Sequence, residues 1–122
     1  MTAESPFLRL LMRTAATASM WLFRNNTGLF YTRDGRPVRC GLCTGSSDAV
    51  GWTEYVVQPA DVGRTLAVFT AFETKTATGR VTVEQQAFID AVRRSGGIAD
   101  VIRACDVNEL RDKLKGYTDD TP

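Results

Sequence analysis

The decisive stretch is Ala71-Phe72-Glu73-Thr74-Lys75-Thr76-Ala77-Thr78-Gly79-Arg80. It is entered from an apolar run, residues 66–72, and turns at once into a carboxylate and an ammonium two positions apart. In a strand, residues i and i+2 share a face. Glu73 and Lys75 therefore follow Ala67, Phe69 and Ala71, while Leu66, Val68, Thr70 and Phe72 make the other face. Apolar character on both faces predicts a central strand over residues 65–75, covered on both sides. A charged pair at its end is then placed at the rim of a sheet. Taken alone, Glu-x-Lys fits a structural ion pair or a solvated strand end equally well.

Working outward, residues 5–19 carry Phe7, Leu10, Leu11, Ala15 and Ala18 at helical spacing, with Ser5-Pro6 suited to a cap and a first-turn proline. Trp21-Leu22-Phe23 reads as a short strand closed by Arg24-Asn25-Asn26-Thr27-Gly28. Residues 29–32 and 37–42 form a predicted hairpin, with Asp34-Gly35 as a two-residue turn. Thr44-Gly45-Ser46-Ser47 is a tight loop, and residues 48–57 read as a strand. After the 76–80 loop, Thr82 starts a helix that Ser95-Gly96-Gly97 stops. Residues 98–103 form a further strand, and Asp106 caps a last helix. One domain over 1–116 is expected, with residues 117–122 as a disordered tail. The order is α-β-β-β-β-β-α-β-α, which makes the fold class α/β.

The 122 residues suffice for a core without disulfides. No run approaches the roughly 18 apolar residues of a membrane span, and Met1 to Pro6 lacks the basic start of a signal peptide. A soluble, cytoplasmic protein is expected. Net charge is only +1, yet 12 of the 15 cations are Arg. Arg24, Arg33, Arg36 and Arg39 lie close together, as a phosphate patch or as a solvated hairpin. Cys40 and Cys43 have C-x-x-C spacing, but a second pair is missing and the sequence has no histidine. That excludes a four-ligand zinc site within the chain, and with it Ser-His-Asp and Cys-His machinery. Cys40, Cys43 and Cys105 are expected to be reduced, small apolar residues.

If residues 48–57 and 65–75 pair antiparallel, Asp48 comes to lie beside Glu73 and Lys75. Two carboxylates about 4 Å apart repel by roughly 4 kcal/mol at an effective dielectric of 20, which a divalent cation removes. Oxygen donors suit Mg²⁺, with Mn²⁺ as its substitute, and a lysine beside the ion suits phosphodiester hydrolysis. Each residue also has a plainer reading. Asp48 can cap the Gly45-Ser46-Ser47 loop. Thr82-Val83-Glu84-Gln85 is a capping box that accounts for Gln85 without catalysis. Ser46 and Ser47 can make the turn, and Arg80 can balance Glu84.

The ordered set Arg24-Asn25-Asn26-x-Gly28, Gly45-Ser46-Ser47-Asp48, Glu73-x-Lys75, Gly79-Arg80 and Glu84-Gln85-x-x-Phe88-Ile89 resembles the VRR-NUC branch of the PD-(D/E)XK nuclease superfamily. The resemblance covers roughly residues 4 to 110, and the compact form is similar to small phage-encoded members, which would work in the host cytoplasm. It implies a restriction-endonuclease-like core, a mixed central β-sheet flanked by helices. It implies Asp48 and Glu73 as metal ligands with a carbonyl near Thr74, Lys75 as the catalytic lysine, and Gln85 at the edge of the site. It further implies a homodimer that cuts branched DNA, Holliday junctions in particular. Arg24, Asn25, Asn26, Arg33, Arg36, Arg39, Ser46, Ser47 and Arg80 are the candidate DNA contacts. The family often has a metal-site Glu in its first helix. Glu4 is the one candidate here; a cap at Ser5 would leave it outside the helix, and a cap at Thr2 would bring it in. Asp100 stands where a small residue is expected. A non-catalytic DNA-binding accessory to recombination or packaging, on a decayed nuclease fold, is the alternative reading. Neither a membrane partner nor zinc is expected.

Overall fold

The computed structural model describes residues 4–118, with side chains from residue 6. The chain divides into two compact units, Met1–Gln58 and Pro59–Pro122.

The first unit opens with α1, Glu4–Ala16. Ser5 lies inside this helix, not at its cap, and Pro6 falls in the first turn, where a missing N–H costs little. Thr2, the other candidate cap, lies outside the described residues, as does the Glu4 side chain. The helix stops three residues short of the predicted end. Thr17 and Ala18 bond back to Thr14 and Ala15, and Ser19 takes a left-handed φ of 60°. The chain then enters β1, Met20–Arg24, which pairs antiparallel with β4, Ala49–Thr53. Gly51 permits that pairing: a Cβ there would stand 1.7 Å from the Trp21 carbonyl oxygen. Trp52 packs between Trp21 and Phe23, with ring centroids 6.3 and 5.4 Å away.

Between these strands lies the hairpin of β2, Gly28–Tyr31, and β3, Pro37–Cys40. Its turn has three residues, not two. Thr32 N–H bonds the Arg36 carbonyl at 2.9 Å, Gly35 N–H bonds the Thr32 carbonyl at 3.0 Å, and Gly35 sits at φ 85°. This is a type I turn followed by a left-handed glycine, the common three-residue solution. The Thr32 hydroxyl donates to Asp34, which also faces Arg36 at 3.1 Å. The Thr32 bond in particular holds the Asp34 carboxyl below its ordinary pKa.

The second unit begins with a single 3-10 turn at Pro59–Asp61. Its centre is a parallel ladder of β5, Thr70–Lys75, and β6, Ile98–Arg103, joined through α2, Val83–Arg94. Ile89, Val92, Ala99 and Ile102 are its buried apolar residues. Thr82 and Gln85 form the predicted capping box, and Gly96 ends α2 at φ 93°. Gly97 lets β6 start close in: a Cβ there would meet Val92 at 2.7 Å and the Phe69 carbonyl at 2.9 Å. α3, Val107–Lys115, is capped by the Asp106 carboxylate, which accepts Glu109 N–H at 2.9 Å.

Two expectations are corrected. Residues 65–75 do not form one long covered strand; only Thr70–Lys75 is strand, and Phe72 is 38% exposed. Nor does β4 pair with β5. Among the described residues the strands form three two-stranded ladders, β1–β4, β2–β3 and β5–β6. The class is mixed α/β, but the ladders do not join into one central sheet. The 48–57 strand also ends early, at Thr53, before the proline at 59.

The expected tail starts with Tyr117, whose hydroxyl donates to Asp100 and whose ring lies 5.4 Å from Phe72. Residues 119–122 lie outside the described residues.

Candidate active site

The C-terminal end of β5 carries the candidate chemistry. Glu73 and Lys75 share the face toward α2, as period two requires. Lys75 Nζ lies 3.8 Å from Glu73 Oε1, and both side chains are partly buried, 18% and 34% exposed. Gln85 Nε2 donates to the same Oε1 at 2.8 Å. Its Oε1 accepts the Thr82 N–H at 3.0 Å, while its own N–H bonds the Thr82 hydroxyl at 3.1 Å. One amide therefore serves both readings of Gln85. The capping box fixes its oxygen, and that constraint turns its NH₂ toward the carboxylate. The N-terminus of α2 adds a favourable dipole for the negative charge.

Solvent reaches the pair from two sides. A groove of about 310 Å³ is lined by Glu73, Gln85, Glu84, Phe72, Phe88 and neighbours. A second, of about 450 Å³, is lined by Lys75, Thr74, Thr76, Ile102, Arg103, Cys105 and others. Thr74 lies between the two charged residues in sequence and points to the opposite face.

The turn after Lys75 is tied down by a residue that sequence reading missed. Arg103, the register partner of Lys75, donates through Nη1 to the Thr76 carbonyl at 3.0 Å and the Gly79 carbonyl at 2.7 Å. Ala104 N–H bonds the Lys75 carbonyl at 2.9 Å. A Cβ on Gly79 would lie 3.5 Å from Lys75 Cδ, so the turn wraps the lysine stem. The parallel pairing that aligns the two strand ends was the signal, and it is not local in sequence. Asp100 likewise finds a purpose: it accepts from Tyr117 and faces Arg93 at 3.3 Å.

Asp48 belongs to the first unit and precedes β4. Its carbonyl accepts the Asn25 N–H at 2.8 Å. Asn25, a candidate DNA contact, is 8% exposed. Its Nδ2 donates to Ser46 Oγ and to the Ser47 carbonyl, each at 2.8 Å, and its Oδ1 accepts Leu42 N–H at 3.0 Å. Ser46 Oγ in turn donates to the Cys43 carbonyl at 2.7 Å. Arg24, Asn26, Arg33, Arg36, Arg39 and Ser47 are exposed on this unit, and Arg80 is exposed on the other. Cys40, Cys43 and Cys105 are free thiols, exposed where apolar packing was expected.

Among the described residues no three His, Cys, Asp or Glu side chains cluster. A hydrated Mg²⁺ does not need such a cluster, because it takes one or two carboxylates and keeps several waters. Glu73 suits that role. Gln85 and Lys75 both address Oε1, and neither engages Oε2. A four-ligand zinc site has no such fit in a chain without histidine.

The profile of the VRR-NUC domain matches residues 36–106, more than half of the chain. The chain belongs to the VRR-NUC domain family. The VRR-NUC match contains Asp48, Glu73, Lys75 and Gln85, and it spans both units. Glu4 and Arg24 to Asn26 lie outside it. VRR-NUC domains are nuclease-type, which makes DNA processing the class of function and DNA the class of substrate. Among curated proteins and among solved structures, nothing matches the chain. No described helix is long and apolar enough to cross a membrane.

Proposed function

We propose that this VRR-NUC protein is a Mg²⁺-dependent, structure-selective DNA endonuclease that acts on branched DNA such as Holliday junctions. The observation that carries the reading is the triad of Lys75, Glu73 and Gln85 at the end of β5, with the lysine 3.8 Å from the carboxylate and the amide 2.8 Å from it. Mg²⁺, which Mn²⁺ replaces, supplies charge neutralisation at the scissile phosphate when bound. Glu73 and Asp48 hold it, helped by the carbonyl at Thr74 and by Glu4.

Lys75 then orients the attacking water and offsets negative charge that develops on the phosphate. Gln85 keeps Glu73 in the rotamer that presents Oε2. Arg24, Arg33, Arg36, Arg39 and Arg80, with Asn25, Asn26, Ser46 and Ser47, form the phosphate-binding surface. A homodimer supplies two sites related by a two-fold axis, which suits paired cuts in two strands. The protein acts in the cytoplasm.

The test is a labelled four-way junction beside a matching linear duplex, with Mg²⁺ or EDTA, for the native chain and Lys75→Ala. Cutting of the junction that needs both Mg²⁺ and Lys75 is expected. Binding without cutting, whatever the metal, would establish the non-catalytic DNA-binding reading instead.

A further inference from the structure

We infer that Asn25 is the positioning residue for Asp48, setting the direction of its carboxylate for metal binding. This rests on the reading of Asp48 as a metal ligand given above.

The direction of a side chain is fixed once the two peptide planes that meet at its Cα are fixed. For Asp48 those planes carry the Ser47 carbonyl and the Asp48 carbonyl. Asn25 holds both. Its Nδ2 bonds the Ser47 oxygen at 2.8 Å, and its backbone N–H bonds the Asp48 oxygen at 2.8 Å. No other side chain is bonded to both segments of this loop. The same amide reaches Ser46 Oγ at 2.8 Å and, through Oδ1, the Leu42 N–H at 3.0 Å. All three side-chain valences of Asn25 are thus spent on the 42–47 loop.

The residue is 8% exposed, so these bonds are shielded from competing water. Only an asparagine side chain fits here. It needs one acceptor for Leu42 and two donors for Ser46 and Ser47. Aspartate would keep the acceptor and set an oxygen against the Ser47 carbonyl. The sulfur-free, uncharged loop that results carries Asp48 at its exit, one residue before β4 begins.

Ligand-supporting partners of this kind typically change metal affinity by about 10- to 100-fold when altered. The experiment measures Mn²⁺ binding to the full chain, by electron paramagnetic resonance of the free ion, with thermal melting alongside. Four proteins are compared: native, Asp48→Asn, Asn25→Asp, and the double variant. Asn25→Asp is expected to weaken Mn²⁺ binding about tenfold. In the Asp48→Asn background the same change is expected to cost nothing further, because Asn25 acts through Asp48.

Should Asn25→Asp fail to fold, Ser46→Ala decides. It removes one acceptor of Nδ2 and keeps the buried asparagine. A loss of about threefold in Mn²⁺ affinity is expected, as for one ordinary hydrogen bond. Additive losses in the double variant, or unchanged affinity in Asn25→Asp or in Ser46→Ala used as its substitute, would overturn the inference. If Asp48→Asn itself leaves Mn²⁺ binding unchanged, the ligand reading of Asp48 fails and takes this inference with it. If Asp48→Asn weakens binding while the Asn25 variants do not, only the inference fails.

Discussion

At the scale of single residues, Glu73 holds two partners on one oxygen, and each can be removed separately. Lys75→Ala leaves the ladder and the Gln85 bond in place. It is expected to lower cleavage by at least about 100-fold, in the range typical of a group that stabilises developing charge, with little change in melting temperature. Measured cleavage within threefold of native would remove Lys75 from the mechanism. Gln85 divides its tasks more finely. Gln85→Ala loses the capping box, at about 1 kcal/mol, together with the bond to Glu73. Gln85→Glu keeps an oxygen for the Thr82 N–H and sets a carboxylate against Glu73. The expected outcome is near-native melting with clearly reduced cleavage. Native activity in this variant would leave Gln85 as a cap alone. The sharing of one face by Glu73 and Lys75 was legible in the sequence, because the period of a strand is local. The role of Asn25 was not. Its bonds reach residues 17 to 22 positions away, and nothing in the Arg24-Asn25-Asn26 run says which asparagine turns inward.

At the scale of elements, α3 is held at its C-terminal end by Tyr117. Its hydroxyl donates to Asp100, and Arg93 approaches the same carboxylate. The Tyr117 bond, more than any other cause, lowers the Asp100 pKa. Burial first, and Asp100 second, push the Tyr117 phenol up to about 12. The signs are opposite in the two directions. A lowered carboxyl contributes stability above its unfolded value, about 3.9, and that contribution is lost as pH falls through the folded value. A raised phenol contributes below its unfolded value, about 10, and its contribution is lost as pH rises toward about 12. Tyr117→Phe is therefore expected to cost about 1 kcal/mol near neutral pH, a modest figure because the pair is part-exposed. The difference from the native chain should shrink below about pH 4 and above about pH 10. Denaturant melts across pH check this; a constant difference at every pH would refute it. Arg103→Ala tests the turn beside Lys75, with faster amide exchange at residues 76–79 as the expected result. Element identity was largely legible here: the capping box, the glycine stop and the Asp106 cap all lie within a few residues of what they control. Strand partners were not. Ladder pairing depends on contacts remote in sequence, so Asp48 was assigned a neighbour in β5 while β4 pairs with β1.

At the scale of the whole molecule, the family assignment came from an ordered set of short motifs. Those motifs lie in both units, with Gly45 to Asp48 in one and Glu73 to Ile89 in the other. The join near residue 58 was not visible, because residues 48–57 look like continuous strand in sequence. Tyr55, Val56 and Val57 are instead 56%, 79% and 69% exposed and lie outside any element. Brief digestion with chymotrypsin is expected to cut first after Tyr55, giving two fragments by mass spectrometry; initial cutting within β1 or α2 would contradict it. The proposed homodimer is checked by sedimentation equilibrium, with the mass of two chains expected.

The groove that holds Lys75 also has Cys105 in its wall, and that thiol is exposed. Sulfur chemistry and phosphodiester chemistry thus share one solvent space. A maleimide or a mixed disulfide at Cys105 would crowd the lysine without any change of sequence. Storage without reductant then becomes a variable of enzymology, since air can partly block a preparation that still melts like the native protein.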